Sequence, residues 1–151
     1  MCLAAVGRLR AGPERSLFEL YAQRLTWPLT VREVEIKKTL TVSERRRREA
    51  ELLSEALPSG AVILALDERG QQLDSGRFAA RLGRWRDDGV QDLGIVIGGA
   101  DGLDESIRNR AGLVLAFGAM TWPHMLVRVL VAEQIYRAQQ ILAGHPYHRD
   151  G

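Results

Sequence analysis

A glycine-rich segment in the second half of the chain has the composition of a ligand-binding turn. Three glycines occur within residues 98–102, directly after the apolar run Leu93–Ile97. Glycine tolerates positive φ and lets a ligand approach the backbone, because no Cβ stands in the way. The segment matches neither a Walker loop nor Gly-x-Gly-x-x-Gly, so a phosphate cradle is the weaker functional interpretation. A plain turn from strand to helix would account for the glycines equally well.

The C-terminal end of the sequence gathers side chains that suit RNA contact and proton transfer. Residues 145–149 read His-Pro-Tyr-His-Arg. Tyr147 could stack on a base, Arg149 could hold a phosphate, and His148 could assist proton transfer. A frayed chain end would give the same residues no role. Pro146 separates the two histidines and no cysteine or carboxylate pattern accompanies them, so no metal site is predicted.

A run of four arginines, Arg45 to Arg48, could contact phosphate or could pair with its own helix. At the i,i+4 spacing of a helix, three pairs are expected to form. They are Glu44–Arg48, Arg45–Glu49 and Arg47–Glu51. This spacing favours a solvated helix face with internal ion pairs, and a phosphate contact stays the alternative.

The segments around these residues alternate between the two types of secondary structure. Strands are predicted at residues 1–6, 29–36, 61–66, 93–97 and 113–116, and helices at 16–25, 41–57, 75–88, 103–110 and 123–142. Strands separated by helices predict an α/β fold, a mostly parallel sheet with helices on both faces. Such sheets bind ligands outside the carboxyl ends of their strands. Residues 67–70, 98–102 and 117–122 are the predicted loops there, so a small-molecule site is expected among them.

The last predicted helix is apolar around its whole circumference at its start. Every residue from Leu126 to Ala132 except Arg128 is apolar. A helix of this kind is buried on all sides, and in a chain of this size a second copy in a two-fold dimer would cover it. A central helix inside one domain is the alternative. Arg128 and Glu133 must be paired or reach a polar site, because an unpaired buried charge is costly. His124 at the helix start is interpreted as structural.

Length and composition predict one globular domain spanning residues 1–151. Of the 151 residues, 46% are hydrophobic and 26% charged, which is ordinary for a chain with a packed core. The single cysteine, Cys2, cannot form an intramolecular disulfide. The longest apolar stretch, residues 111–120, is shorter than the roughly 18 residues of a membrane span, and no signal-peptide layout is seen, so a cytoplasmic location is expected. The net charge of +2 permits a nucleic-acid partner without demanding one.

Two C-terminal segments together resemble one enzyme family. Residues 122–137 read Trp-Pro-His-Met-Leu-Val-Arg-Val-Leu-Val-Ala-Glu-Gln-Ile-Tyr-Arg. Together with residues 145–149, they resemble the ribosomal RNA large subunit methyltransferase H family. Members of this family are pseudouridine N3-methyltransferases of the knotted SPOUT class. The resemblance covers essentially the whole chain, including residues 4–7, 66–67 and 97–99. It implies a C-terminal trefoil knot, which most folds avoid, and a homodimer through the C-terminal helix. The chain departs from the family at Ala100-Asp101, usually Pro-Glu there, and at residues 120–122.

The resemblance also implies the cofactor and its contacts. The loops of the knot would hold S-adenosylmethionine in a bent shape, mostly through backbone groups. The implied cofactor-binding residues are Leu66, Gly98, Phe117, Gly118, Ala119, Met120, Thr121 and Trp122.

The implied reaction methylates N3 of a pseudouridine in the large-subunit ribosomal RNA of the ribosome. This imide nitrogen becomes a good nucleophile only when deprotonated, so the site must favour the anion and align it for in-line transfer. Arg149 and Arg137 are expected to stabilise charge or phosphate, and His148 or Tyr147 to orient or deprotonate the base. Two other functions stay open: a non-catalytic, dimeric nucleotide-binding regulator, and a SPOUT methyltransferase that acts on a transfer-RNA ribose.

Overall fold

Five parallel strands form one sheet in the computed structural model, which describes residues 1–146. The strands are β1 (Cys2–Val6), β2 (Thr30–Val34), β3 (Val62–Gln71), β4 (Leu93–Ile97) and β5 (Leu113–Leu115). Their order across the sheet is β2-β1-β4-β3-β5, and each neighbouring pair is parallel. The predicted α/β class and parallel pairing are therefore confirmed.

Helices cover both faces of the sheet. They are α1 (Pro13–Ala22), α2 (Val42–Ala56), α3 (Ser75–Asp87), α4 (Glu105–Arg110) and α5 (His124–Leu142). One core joins α1, α3 and α5 to the sheet, and a second core joins α2 and α4 to the opposite face. Among residues 1–146, no helix is both long enough and apolar enough to cross a bilayer.

The apolar runs of the sequence follow from this two-sided covering. Leu3 and Ala5 of β1 enter the core under α1, α3 and α5, whereas Ala4 enters the other core. The same alternation places Leu64 and Ala65 of β3 on opposite faces. A strand that is buried on both faces has no side in contact with solvent, so its residues are apolar throughout.

The third strand is longer than predicted, which corrects the expected loop at residues 67–70. Those residues continue β3 to Gln71, with a register shift between Leu66 and Gln71 where β3 pairs with β5. Gly70 makes the extension possible: a Cβ at this position would lie 2.7 Å from backbone atoms of Val114 and Leu115. A polar run ending in glycine is typical of a loop, but here the glycine permits contact between two backbones.

Two helix starts are set by local sequence. The first helix begins at Pro13, earlier than the predicted residue 16, because proline is well suited to the first helical position after Gly12. It ends at Ala22 and not at residue 25. At α2, Thr41 and Glu44 form a capping box, each side chain bonding to the other residue's backbone.

Arg128 and Glu133 of α5, predicted to be paired or to reach a polar site, are both paired. Arg128 lies against Glu33, and Glu133 accepts hydrogen bonds from Arg137 and Gln134. These partners offset the cost of burying Arg128 fully and Glu133 in part.

Candidate active site

A cavity of about 560 Å³ lies where β3, β4 and β5 stop pairing regularly. Leu66, Ile97 and Leu115 are neighbours in register at this point of the sheet. Most of the wall comes from residues 66–69, 97–103, 115–118 and 120–124, completed by Arg46, Arg108 and Val127. Its volume is in the range of small-molecule sites, about 300–1,000 Å³. The sheet therefore places a ligand-sized cavity at the carboxyl ends of its strands, where the sequence predicted one.

Seven of the eight residues expected to bind a cofactor line this cavity. Ala119 is the exception, since it is exposed and lies outside the lining. The lining residues are Leu66, Gly98, Phe117, Gly118, Met120, Thr121 and Trp122. Which of them contact a ligand stays a prediction.

The glycine turn after β4 is closed by its own backbone. The amide of Gly102 donates to the carbonyl of Gly99 at 3.1 Å, and Gly102 has φ +78°. A Cβ on Gly98 would lie 3.0 Å from the carbonyl carbon of Gly102 and 3.0 Å from Leu103 Cδ2. A side chain at residue 98 would therefore crowd the turn where it folds back on itself, and the turn lines the cavity with residues 98–102.

The segment between β5 and α5 forms the outer wall. Trp122 Nε1 donates to the carbonyl of Phe117 at 2.9 Å, which ties the two ends of the segment together. Gly118, at φ +95°, allows the bend. Met120 is 76% exposed and Trp122 is 42% exposed. Exposed apolar side chains at the rim of a cavity are suited to cover a ligand or a partner.

Asp67, Arg108 and Arg46 are charged side chains of the wall that were not among the residues expected to bind the cofactor. Asp67, whose side chain is only 5% exposed, lies 3.6 Å from Arg108. Arg108 also donates to the carbonyl of Leu103, which fixes the guanidinium. Arg46 lines the cavity, and within the described chain its buried Nε has no hydrogen-bond partner. The wall thus carries both signs of charge.

His124 also lines the cavity, at the start of α5. Burial, reinforced by the positive charge of Arg128, lowers the pKa of its imidazole below the ordinary value. The neutral form is favoured at neutral pH, so one ring nitrogen can accept a hydrogen bond. His124 was interpreted as structural from the sequence, which did not predict that its side chain lines the cavity.

Comparison with known proteins decides the family. A family model described as predicted SPOUT methyltransferase matches residues 1–148. The ribosomal RNA large subunit methyltransferase H of Rhodospirillum centenum is 65% identical over 147 residues, covering 97% of both chains. This chain belongs to that family of SPOUT methyltransferases. The relative of the same name from Paramagnetospirillum magneticum is 54% identical over 149 residues, covering 99% of this chain and 98% of the other. The solved SpoU methyltransferase AviRb from Streptomyces viridochromogenes, in complex with AdoMet, has a TM-score of 0.47 at 13% identity, over 93% of this chain and 58% of that one.

The arginine run of this SPOUT methyltransferase is paired differently from the prediction. Arg45 lies 3.4 Å from Asp101 of the glycine turn, and Arg48 lies 2.6 Å from Glu51 at i,i+3. Glu44 serves the capping box, and Glu49 is buried. The i,i+4 rule counts only neighbours on the helix, whereas Asp101 comes from another element.

The residues expected to act on the RNA base fall into two groups. Tyr147, His148 and Arg149 lie outside the described residues. Arg137 is described, and its Nε and Nη2 lie 2.9 and 2.8 Å from Glu133 Oε1. It stands 13 residues after His124 on α5, roughly 20 Å along the helix axis. Arg137 is therefore absent from the lining of the cavity of its own chain, and its expected role on the RNA base stays a prediction.

Within residues 1–146, no group of three or more histidine, cysteine, aspartate or glutamate side chains lies close enough together to hold a metal ion.

Proposed function

We propose that this chain transfers the methyl group of S-adenosylmethionine to N3 of a pseudouridine in large-subunit ribosomal RNA. Relatives with up to 65% identity among those compared are named ribosomal RNA large subunit methyltransferase H. The observation that carries the proposal is the glycine-lined cavity, because seven of the residues that the family resemblance assigns to the cofactor meet there. The same proposal includes a trefoil knot, a single domain over residues 1–151 and a cytoplasmic location for this chain, where its ribosomal substrate is found.

The cavity has the chemistry that S-adenosylmethionine requires. Its adenine needs an apolar slot with backbone hydrogen bonds, and Leu66, Ile97 and the glycine turn supply both kinds of surface. Its carboxylate needs a cation, and the Nε of Arg46 is a buried donor with no partner in the described chain. Its ammonium and sulfonium are cationic, and Asp67 and Asp101 line the same wall. The residues present therefore fit this cofactor.

S-adenosylmethionine, when bound, supplies an electrophilic methyl group on a positively charged sulfur. The protein must hold the pseudouridine with N3 in line with that methyl group and favour loss of the N3 proton. His148 or Tyr147 would orient or deprotonate the base, and Arg149 would stabilise the anion or a neighbouring phosphate. Because Arg137 is far from the cavity of its own chain, its proposed role is exerted on the site of a second subunit.

A homodimer through α5 completes the proposal. Leu126 in the first turn of α5 is 37% exposed, and Leu17 and Leu20 on α1 are 43% and 44% exposed. Helices α1 and α5 pack together on the same face of the sheet. A second copy related by a two-fold axis would cover these leucines on both chains with a single type of contact.

Two measurements test the function. Calorimetry with the purified protein should show binding of S-adenosylmethionine in preference to ATP and NAD. Ribosomes from a strain that lacks the gene should gain one methyl group at a pseudouridine N3 when the protein and cofactor are added. Preference for ATP without methyl transfer would favour a nucleotide-binding regulator, and methylation of a transfer-RNA ribose would assign a different acceptor.

A further inference from the structure

Glu49 on α2 is a buried carboxylate that the proposed mechanism does not use. The residue is 6% exposed, and within residues 1–146 its Oε2 has no hydrogen-bond partner. Burial raises the pKa of this carboxyl above its ordinary value, and the negative charge of Asp101 adds to the shift, whereas Arg45 and the amide of Gly99 oppose it. Stability alone would favour an apolar side chain of the same size at such a position.

The carboxylate lies directly against the glycine turn. A Cβ on Gly99 would stand 3.1 Å from Glu49 Oε1 and 3.2 Å from Oε2, with Val6 Cγ1 at 3.1 Å on another side. The backbone amide of Gly99 also stabilises the charged form of this carboxyl, which lowers its pKa. Both oxygens therefore lie close beside the turn, and a side chain at residue 99 would crowd them.

A second contact from the same face of α2 reaches the other end of the turn. Arg45, one helical turn before Glu49, lies 3.4 Å from Asp101. This pair is partly exposed and contributes little stability alone. Together, however, the two side chains fasten residues 99 and 101 to one rigid helix. Gly98, Gly99 and Asp101 line the cavity, whereas Glu49 and Arg45 are absent from its lining.

We propose that Glu49 is a positioning residue that holds the glycine turn from behind, so that the affinity for S-adenosylmethionine depends on a carboxylate that does not touch the cofactor. This inference rests on the proposed function, since it concerns the same cavity. A turn that must present backbone groups to a ligand binds best when it is held in the bound shape before the ligand arrives.

Two substitutions separate positioning from packing. Glu49→Met keeps the length and bulk of the side chain but removes both oxygens, and Glu49→Gln keeps one acceptor oxygen for the turn without the charge. We expect the Kd for S-adenosylmethionine, measured by calorimetry, to rise roughly tenfold in Glu49→Met, because this is the loss expected for one hydrogen bond to a charged group. In Glu49→Gln the Kd should rise by a smaller factor. The midpoint of thermal unfolding should stay equal or rise in both variants, because a buried charge is removed.

Hydrogen exchange of the free protein provides a readout that needs no cofactor. Amides of residues 98–102 should exchange faster in Glu49→Met than in the wild type, while those of β4 are unchanged. Glu51→Gln is the matched control, since Glu51 stands two positions later on α2 and is exposed beside Arg48. It should change neither the affinity nor the exchange.

The outcomes distinguish this inference from the proposed function. If the wild type binds S-adenosylmethionine and Glu49→Met binds it equally well, the inference is wrong and the proposed function stands. Unchanged exchange at residues 98–102 in Glu49→Met would also overturn it. A wild-type protein that does not bind the cofactor would overturn the proposed function, and with it the dependence of cofactor affinity on Glu49.

Discussion

Arg128 on α5 and Glu33 on β2 form an ion pair in which Nη1 lies 2.6 Å from Oε1. The side chain of Arg128 is fully buried, whereas that of Glu33 is 31% exposed. Arg128 Nη2 also donates to the carbonyls of Val6 and Gly7, at 3.0 and 2.6 Å. One guanidinium therefore ties the ends of β1 and β2 to the helix that begins at the cavity.

Replacing Arg128 with methionine should destabilise the protein by about 3 kcal/mol. The substitution keeps much of the apolar bulk but leaves two backbone carbonyls and a partly buried carboxylate without their donor. Urea unfolding followed by circular dichroism measures the change. Arg8→Ala is the control, because Arg8 is 72% exposed beside Glu35 and should cost no more than about 0.5 kcal/mol. Equal unfolding midpoints for Arg128→Met and the wild type would contradict the prediction.

The same pair should make stability depend on acid pH. Burial alone would raise the pKa of Glu33, but the amide of Leu9 and the charge of Arg128 lower it below its ordinary value. A carboxylate with a depressed folded-state pKa contributes its full stability above the unfolded value, about 4.5, and loses it as the pH falls through the folded value.

Unfolding of the wild type and Glu33→Gln should therefore be compared between pH 7 and pH 3. The difference in free energy of unfolding between them should shrink below about pH 4.5. A difference that is constant over the whole range would show that Glu33 acts through its shape and not its charge.

Local patterns predicted the element types well, because periodicity reports which side of a segment is buried. They failed where a distant segment decides the outcome. Gly70 continues β3 only because the backbone of Leu115 lies beside it, and Arg45 pairs with Asp101, 56 residues away. Glu49 was interpreted as a surface partner for an arginine, since Gly99, which lies beside it in the fold, is far along the chain. The seven cavity residues were found through the family resemblance, and strand topology alone placed only their loops.

Replacing Gly98 with alanine should reduce the affinity for S-adenosylmethionine by at least about tenfold. The added methyl group would stand 3.0 Å from the backbone of Gly102, which cannot move without opening the turn. Calorimetry measures the Kd. Gly76→Ala in α3 is the control. Its methyl group would lie 3.3 Å from Asp74 Oδ1, and alanine has a higher helix propensity than glycine. If Gly98→Ala binds as tightly as the control, the turn does not shape the cofactor site.

Replacing Leu126 with glutamate should break the proposed dimer. The residue is in the first turn of α5 and 37% exposed in the single chain, so a second copy would bury a charge there. Light scattering coupled to size-exclusion chromatography should show the mass of a dimer for the wild type and that of one chain for the variant. Val42→Glu is the matched control, because Val42 is also in a first helical turn, is 53% exposed, and belongs to α2 on the opposite face of the sheet. An unchanged mass in Leu126→Glu would place the contact elsewhere.

The C-terminal residues should be needed for methyl transfer and not for cofactor binding. Val127 is the last of the described residues that line the cavity, so removing a side chain at residue 148 or 149 leaves the described lining unchanged. His148→Ala and Arg149→Ala are therefore expected to bind S-adenosylmethionine with the wild-type Kd but to lose ribosome methylation by at least about 100-fold, the range for a general acid or base.

Glu14→Ala controls for a nonspecific loss of charge, since it is an exposed residue of α1. Single-turnover rates with saturating ribosomes separate weaker RNA binding from slower chemistry. If Arg149 only holds a phosphate, raising the ribosome concentration restores the rate of its variant. If His148 or Arg149 acts on N3, the rate stays low at saturation and its dependence on pH changes. Wild-type rates in both variants would show that neither residue takes part in the mechanism. His124, whose imidazole lines the cavity, would then be the next candidate for proton transfer.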